Sequence, residues 1–330
     1  MPVAITELPA VPLQRFLPQA SRLVMGCMGL GGGWDAQPLQ YADVEKAQAA
    51  TEAALAAGIT LFDHANIYTL GKAEESFGRL FQRQPSLRQS LLLQSKCGIR
   101  FTDAHGPKRY DLSAQHIVDS VDEILGRLQT DYLDVLILHR PDPLMQPAEV
   151  AQAWQQIKAA GKARFLGVSN MHAAQMGWLQ QALGEPLVVN QLEMSLLKRD
   201  WLEAATGFND TQGASYLAWD GTLKYAQQHG LQLQAWGALA RGWFSGAAPV
   251  DAPPAVRRAA EYVQQLAQVH GVAAEAIVLA WLMQHPARIQ PVVGTTDPPR
   301  IRACAQSTNV ALSRGEWYQL FEAARGRELP

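Results

Sequence analysis

The sequence predicts an α/β chain closed into a single (β/α)8 TIM barrel. Short apolar runs begin near residues 23, 59, 91, 133, 164, 187, 231 and 289, and a helical pattern follows nearly every one. Strands alternating with helices imply a parallel sheet with right-handed crossovers. The chain has 330 residues and no low-complexity linker divides it, and one barrel commonly reaches that length.

Taken in order, residues 1–19 form an N-terminal extension and residues 20–330 the barrel. The first strand runs into "GLGGGWD", residues 29 to 35. This glycine-rich stretch lacks the third glycine of a dinucleotide fingerprint, because Trp34 stands there, and it reads as the first strand-to-helix loop. Gly58 to Phe62 read as a short buried strand that ends on Asp63. "LLLQSK" is the third strand and ends on Lys96. "SAQHIVDSVDEILGRL" is the strongest helix, with Ile117, Val121, Ile124, Leu125 and Leu128 at helical spacing and Ser113 placed as N-cap. It feeds "DYLDVLILHR", where Val135 to Leu138 suit a strand buried on both faces. Pro147 opens the next helix and Gly161 follows its end. "KARFLGVSN" is the fifth strand. "SGAAPVDAPPAV" reads as a long loop.

Hydrophobic residues make up 48% and charged residues 18%, which suits a globular protein with a large core. The net charge of −2 gives no electrostatic case for nucleic acid or an anionic membrane surface. The N-terminus lacks the basic start and apolar run of a secretory signal, and no apolar run reaches membrane-spanning length. Cys27, Cys97 and Cys304 lie far apart without CxxC spacing. They support neither a disulfide framework nor a cysteine zinc site, and a reduced cytoplasm is the default expectation. No histidine pair has helical zinc-ligand spacing, so no metal is expected.

Catalytic groups of such barrels sit at the C-terminal ends of the strands. Read there, the sequence gives Asp63 with Tyr68 beyond it, then Lys96, His139, Ser169 with Asn170, Gln191, Trp236 and finally "GTTDPPR". Taken singly, each has an ordinary explanation: a turn-forming aspartate, a packed tyrosine, a solvated lysine, a core histidine. Four such residues at adjacent strand ends favour a joint role.

The motifs "FDHANIY", "SKCG", "LHRPD", "GVSN", "NQLEMS", "AWGALARG" and "VVGTT…R" occur in the order seen in the aldo-keto reductase superfamily. The chain resembles a member from about residue 20 to about 325, close to a bacterial oxidoreductase-like branch. The resemblance implies a catalytic tetrad of Asp63, Tyr68, Lys96 and His139 and a nicotinamide cofactor across the barrel mouth. A carbonyl that accepts hydride needs a proton. A free tyrosine is a poor acid near neutrality. A lysine ammonium about 4 Å from the phenol favours tyrosinate by up to ~3 pKa units at an effective dielectric of ~20. Asp63 pairs with Lys96 and offsets part of that, while His139 orients the carbonyl oxygen. His64 either contacts substrate or supports the turn, and support is the favoured reading.

The resemblance also assigns a cofactor cradle. Ser169, Asn170 and Gln191 match the residues that hold the nicotinamide carboxamide, and Trp236 the aromatic that stacks on the ring. Leu239, Arg241 and Gly242 match the pyrophosphate loop. Gly294, Thr295, Thr296 and Arg300 match the adenosine end, beside a helix opened by Pro298 or Pro299. NADPH is the expected cofactor. Three departures from the commonest pattern leave NADH open: Gly294 replaces a frequent lysine, and Ala303 and Cys304 replace a Glu and an Asn. Arg302 compensates for the lost lysine, or Asp297 favours the free ribose of NADH.

Trp34 either borders the substrate pocket or is an exposed loop aromatic. Residues 204 to 219 look like an insertion after strand six, so Phe208, Tyr216 and Trp219 either line the pocket or form a rim cluster. The expected activity is reduction of a small-molecule carbonyl, an aldehyde or ketone, by a monomer or weak oligomer. A Schiff-base aldolase using Lys96 conflicts with Asp63 beside it, and a glycosidase needs two facing carboxylates where only Asp63 stands. A catalytically weak nicotinamide sensor or regulatory subunit of the same fold is the alternative.

Overall fold

The computed structural model describes residues 9–207 and 221–330. Within them, β1 (Val24–Gly26), β2 (Leu61–Asp63) and β3 (Leu92–Cys97) are followed by a short antiparallel hairpin, β4 (Ile99–Arg100) with β5 (Arg109–Tyr110). Then come β6 (Leu133–Leu138), β7 (Ala163–Ser169), β8 (Val189–Glu193), β9 (Gln232–Trp236) and β10 (Gln290–Val293). All strands except the hairpin pair in parallel and close a barrel in the order β1-β10-β9-β8-β7-β6-β3-β2. The predicted eight-stranded barrel is therefore the observed fold.

Residue parity explains where the site comes from. Side chains alternate across a strand, so every second residue of each strand shares one face. On β3, Leu92, Gln94 and Lys96 share the inner face; on β2 they are matched by Leu61 and Asp63, and on β6 by Val135 and Ile137. The opposite set, including Phe62, Leu93, Leu136 and Leu138, belongs to the large apolar core between barrel and helices, while Val24, Leu61, Leu92, Val135, Ile137, Val189 and Val292 form a separate cluster inside.

The N-terminal end of the barrel is covered by the segment just before β1. A 3-10 turn, Pro12–Arg15, places Leu13, Leu17 and Ala20 in the inner cluster, all buried. The Leu13 N–H donates to Oε1 of Gln232 at 3.4 Å and Gln290 donates to the Ser21 carbonyl at 2.5 Å, so the cover is tied to β9 and β10.

Several local expectations are corrected. Gly58 is a left-handed turn residue (φ 76°) after helix Tyr41–Ala56, and the strand begins only at Leu61 and includes Asp63. Ser113 precedes helix Ala114–Leu128 as expected, but its hydroxyl donates to Asp111 at 2.7 Å and caps no helix N–H. The Pro/Ala-rich stretch stops being loop at Pro254, which opens helix Pro254–His270. A second helix, Ala274–Met283, then leads to β10, and Arg314–Arg325 closes the described chain. Within the predicted insertion, residues 204–206 end helix Asp200–Thr206, whose Glu203 is buried against Arg325 at 2.9 Å. Phe208, Tyr216 and Trp219 lie outside the described residues.

Candidate active site

The C-terminal mouth of the barrel holds a cleft of about 660 Å³. At its floor Lys96, fully buried, donates to the Asp63 carboxylate at 2.7 Å, to the His64 carbonyl at 2.9 Å and to the Tyr68 hydroxyl at 2.9 Å. All three ammonium protons thus have partners. The His139 ring stands edge-on to Tyr68, centroids 6.1 Å apart, and both line the cleft. Neither ring nitrogen of His139 has a hydrogen-bond partner among the described residues, and Nδ1 is buried. The four predicted tetrad side chains therefore converge.

Tyr68 is delivered by a costly turn. Thr69 (φ 47°) and Leu70 (φ 60°) both occupy the left-handed region, which is rare for non-glycine residues and rarer for a β-branched one. The Thr69 hydroxyl donates to the Leu30 carbonyl at 2.9 Å and pins the turn to the first loop. The glycines of that loop serve the same junction: a Cβ on Gly31 would lie 2.4 Å from the Lys72 carbonyl carbon, so only glycine allows the two loops to meet.

Burial raises the pKa of Tyr68, and the charge of Asp63 adds to this; Lys96 pulls the other way without reversing it. The expected lowering by Lys96 is corrected: desolvation of the phenolate outweighs the ammonium. For Lys96 burial favours the neutral amine, but Asp63 and Tyr68 prevail and hold its pKa above the ordinary value. His139 is neutral, its pKa pushed well below 6.5 by burial, then by Lys96 and Arg140. His64 is also neutral at about 3, through burial and Lys96. Its ring packs edge-on against Phe77 at 4.5 Å and faces away from the cleft's lining, as a support for the turn.

Beneath the tetrad lies a layer of buried amides. Gln94 and Gln191 both donate to Asp63, at 2.6 and 3.1 Å. An ionised carboxylate only accepts, so each amide nitrogen must face it. Gln234 accepts from both glutamines and donates to Gln94 and Gln290 at 3.0 Å. Asp63 thus accepts from three side chains, Lys96, Gln94 and Gln191. The composition of strand ends revealed Gln191 but not Gln94, Gln234 or Gln290, which stand one or more turns of the pleat deeper.

The predicted cofactor residues largely gather in the same cleft. Ser169, Asn170, Gln191, Trp236, Leu239, Arg241, Gly242, Gly294, Thr295 and Arg300 line it, with Trp34 at its exposed edge. Thr296 does not; its methyl group packs beside Gly29. The nicotinamide end fits in altered form. Gln191 spends its nitrogen on Asp63 and Gln234, and keeps Oε1 to accept. Asn170, left-handed at φ 61°, donates to the His139 carbonyl and to Ser169 and accepts from Trp236 Nε1 at 3.2 Å. The adenosine end also fits. Arg300 lies by Gly242, tied to Glu275 at 3.3 Å through Nε alone, and a Cβ on Gly294 would meet only open space. Strand-end reading overlooked Arg140, Met28, Ile67 and Ile99, which also line the cleft. Arg140 was legible as the neighbour of His139; Ile99 was not, because the hairpin that carries it is too short for a periodic signal.

Comparison with known proteins decides the family. The model of the Aldo/keto reductase family matches residues 22–325. The chain belongs to the aldo-keto reductase family. It is 35% identical over 316 residues to YcsN of Bacillus subtilis, an uncharacterized oxidoreductase, covering 94% of this chain and 97% of that one. It is equally 35% identical over 317 residues to a 6-dehydroglucose reductase of Agrobacterium fabrum, covering 94% and 96%. In fold it is similar to the solved structure of the glycerol dehydrogenase AKR11B4 from Gluconobacter oxydans, with a TM-score of 0.76 at 23% identity, covering 93% of this chain and 92% of that one. This aldo-keto reductase is an NAD(P)H-dependent oxidoreductase. No single helix among its described residues is long and apolar enough to cross a membrane.

Proposed function

We propose that this aldo-keto reductase reduces an aldehyde or ketone to an alcohol with NADPH, and that Tyr68 donates the proton. The observation that carries the reading is the bridge made by Lys96, which holds the Asp63 carboxylate at 2.7 Å and the Tyr68 hydroxyl at 2.9 Å. Trp236 would hold the nicotinamide ring and Arg300 the adenosine end of the cofactor, which would supply the hydride when bound. Tyr68 stays protonated because burial raises its pKa, so it enters the reaction as an acid. As the phenol gives up its proton, the ammonium 2.9 Å away stabilises the charge left behind. Neutral His139 has an N–H to offer the substrate oxygen. An aldolase would need Lys96 as a free amine, against its raised pKa. Two relatives are named 6-dehydroglucose reductase, which favours a hydroxyl-rich carbonyl substrate.

Tyr68→Phe tests the role of the phenol. It should lower kcat by roughly 10²- to 10⁴-fold, the usual contribution of a positioned acid, while the NADPH Kd stays within about 3-fold. A mutant that keeps most of its kcat ends the assignment. NADPH should bind at least about 10-fold tighter than NADH through Arg300, the effect of one charge-assisted contact. Equal Kd values in a fluorescence titration, or an unchanged ratio in Arg300→Ala, would refute that preference.

A further inference from the structure

We propose that a side pocket between Arg140 and Glu193 binds the hydroxyl-rich end of a polyhydroxylated aldehyde and thereby selects the substrate. The proposal rests on the carbonyl-reducing reading above and names its substrate class. The pocket measures about 350 Å³ and shares Arg140, Asn170 and Trp236 with the main cleft, so the two adjoin at the residue that follows His139.

Arg140 follows His139 in sequence, which puts their Cα atoms about 3.8 Å apart. It is half-buried, with its guanidinium 5.7 Å from the centre of the Trp236 ring. No carboxylate pairs with it among the described residues. Three other shielded arginines differ: Arg88 sits on Asp134 at 3.0 Å, Arg127 on Glu74 at 2.8 Å and Arg325 on Glu203 at 2.9 Å. Arg22 also lacks a carboxylate among the described residues, but it donates to the Met283 carbonyl and lines neither the cleft nor the side pocket. Glu193 is likewise half-buried and unpaired among the described residues. It is the register partner of Trp236 across β8 and β9, so both side chains rise from the same face of the sheet. Its carboxylate lies beside Gly237. On the rim Lys198 and Asp200 pair with each other.

One cation and one anion, each unpaired among the described residues, therefore face a small pocket that adjoins the main cleft. An apolar chain there would strip water from both charges and return nothing. An anionic chain would satisfy Arg140 but meet Glu193. A hydroxyl group accepts from a guanidinium and donates to a carboxylate, so a chain of hydroxyls partners both.

The test compares erythrose, butanal and succinic semialdehyde, chains of equal carbon number, in the wild type, Arg140→Met and Glu193→Gln. The wild type should favour erythrose. Arg140→Met should lower kcat/KM for erythrose about 10- to 100-fold, mainly through KM, as loss of a charge-assisted contact predicts. Butanal should change by less than about 3-fold. Glu193→Gln should lower erythrose turnover and raise that of succinic semialdehyde. Equal losses for erythrose and butanal in Arg140→Met, or a wild-type preference for succinic semialdehyde, would overturn the proposal. Binding of erythritol to the NADPH-loaded protein, followed by saturation-transfer NMR, separates this from the broader reading. If none of the three aldehydes turns over, carbonyl reduction fails as the function. Erythritol binding that Arg140→Met abolishes still upholds the pocket, and absent wild-type binding refutes it. Should the Met variant not fold, Arg140→Lys, which keeps the charge but loses the bidentate fork, should lose part of the erythrose preference; an unchanged preference would count against the pocket.

Discussion

At the N-terminal end of the barrel the interior holds Leu13, Leu17, Val24, Leu61, Leu92, Val135 and Val189; at the C-terminal end, on the same inner face, it holds Asp63, Gln94, Lys96, Gln191 and Gln234. Both ends are buried, but they are stabilised differently. The apolar end gains from area removed from water and from close packing. The polar end is held only because its groups satisfy one another: three donors on Asp63, three acceptors on Lys96, and reciprocal bonds between Gln94 and Gln234. A buried pair of charges contributes little net stability, yet losing one partner is costly. The contrast shows how one barrel is split into a part that makes the fold stable and a part that keeps reactive groups in fixed protonation states.

Lys96→Met should break the polar end most severely. It strands Asp63 without its counter-charge, which costs about 3–5 kcal/mol, and on the proposed mechanism it also lowers kcat by roughly 10²- to 10⁴-fold. Denaturant unfolding and steady-state kinetics measure both. A variant with native stability would show that the amides alone neutralise Asp63.

Leu13→Ala probes the opposite end. A cavity among Leu17, Val24 and Leu61 should cost about 2–5 kcal/mol, with kcat and the NADPH Kd unchanged because the site lies at the other end of the barrel. Changed kinetics below the unfolding range would erase the division between the two ends.

Gln94→Leu sharpens the comparison by converting one polar position into an apolar one. It removes the 2.6 Å donor to Asp63 and leaves a buried acceptor short, at about 1–3 kcal/mol. On the proposed mechanism the pH profile of kcat should also move, since Asp63 then acts more strongly on Lys96 and Tyr68. A profile that overlays the wild type would make Gln94 a packing residue only.

Histidine titration gives the smallest effect per step. Burial lowers His64 to about 3 and His285 to about 4, both from an ordinary 6.5. Below pH 6.5 the unfolded chain therefore takes up protons that the folded chain refuses. Stability is intact above that pH and falls as the pH drops, by up to about 1.4 kcal/mol per unit for each histidine. His64→Leu should flatten the curve between pH 6.5 and 4. An unchanged slope would mean that other groups carry the acid sensitivity.

The sequence by itself determined the eight strands, their order and the placing of Asp63, Lys96, His139, Ser169 and Trp236 at strand ends. Gln191, expected at its strand's end, stands two residues inside it, because β8 runs on to Glu193 along β9. Apolar periodicity and the two-residue repeat are local properties, and parity alone sends Gln94 and Lys96 to the face that carries Leu92. The sequence also supplied Tyr68, although the left-handed Thr69 and Leu70 that deliver it carry no local signal of that strain. Only the tertiary structure decided partnership. That Gln94 bonds to Gln234, that burial of Tyr68 outweighs the lowering pull of Lys96, and that Arg140 and Glu193 stand unpaired over one pocket among the described residues depend on distances between residues far apart in the chain. Desolvation and hydrogen bonding act through those distances, which no local stretch of residues specifies.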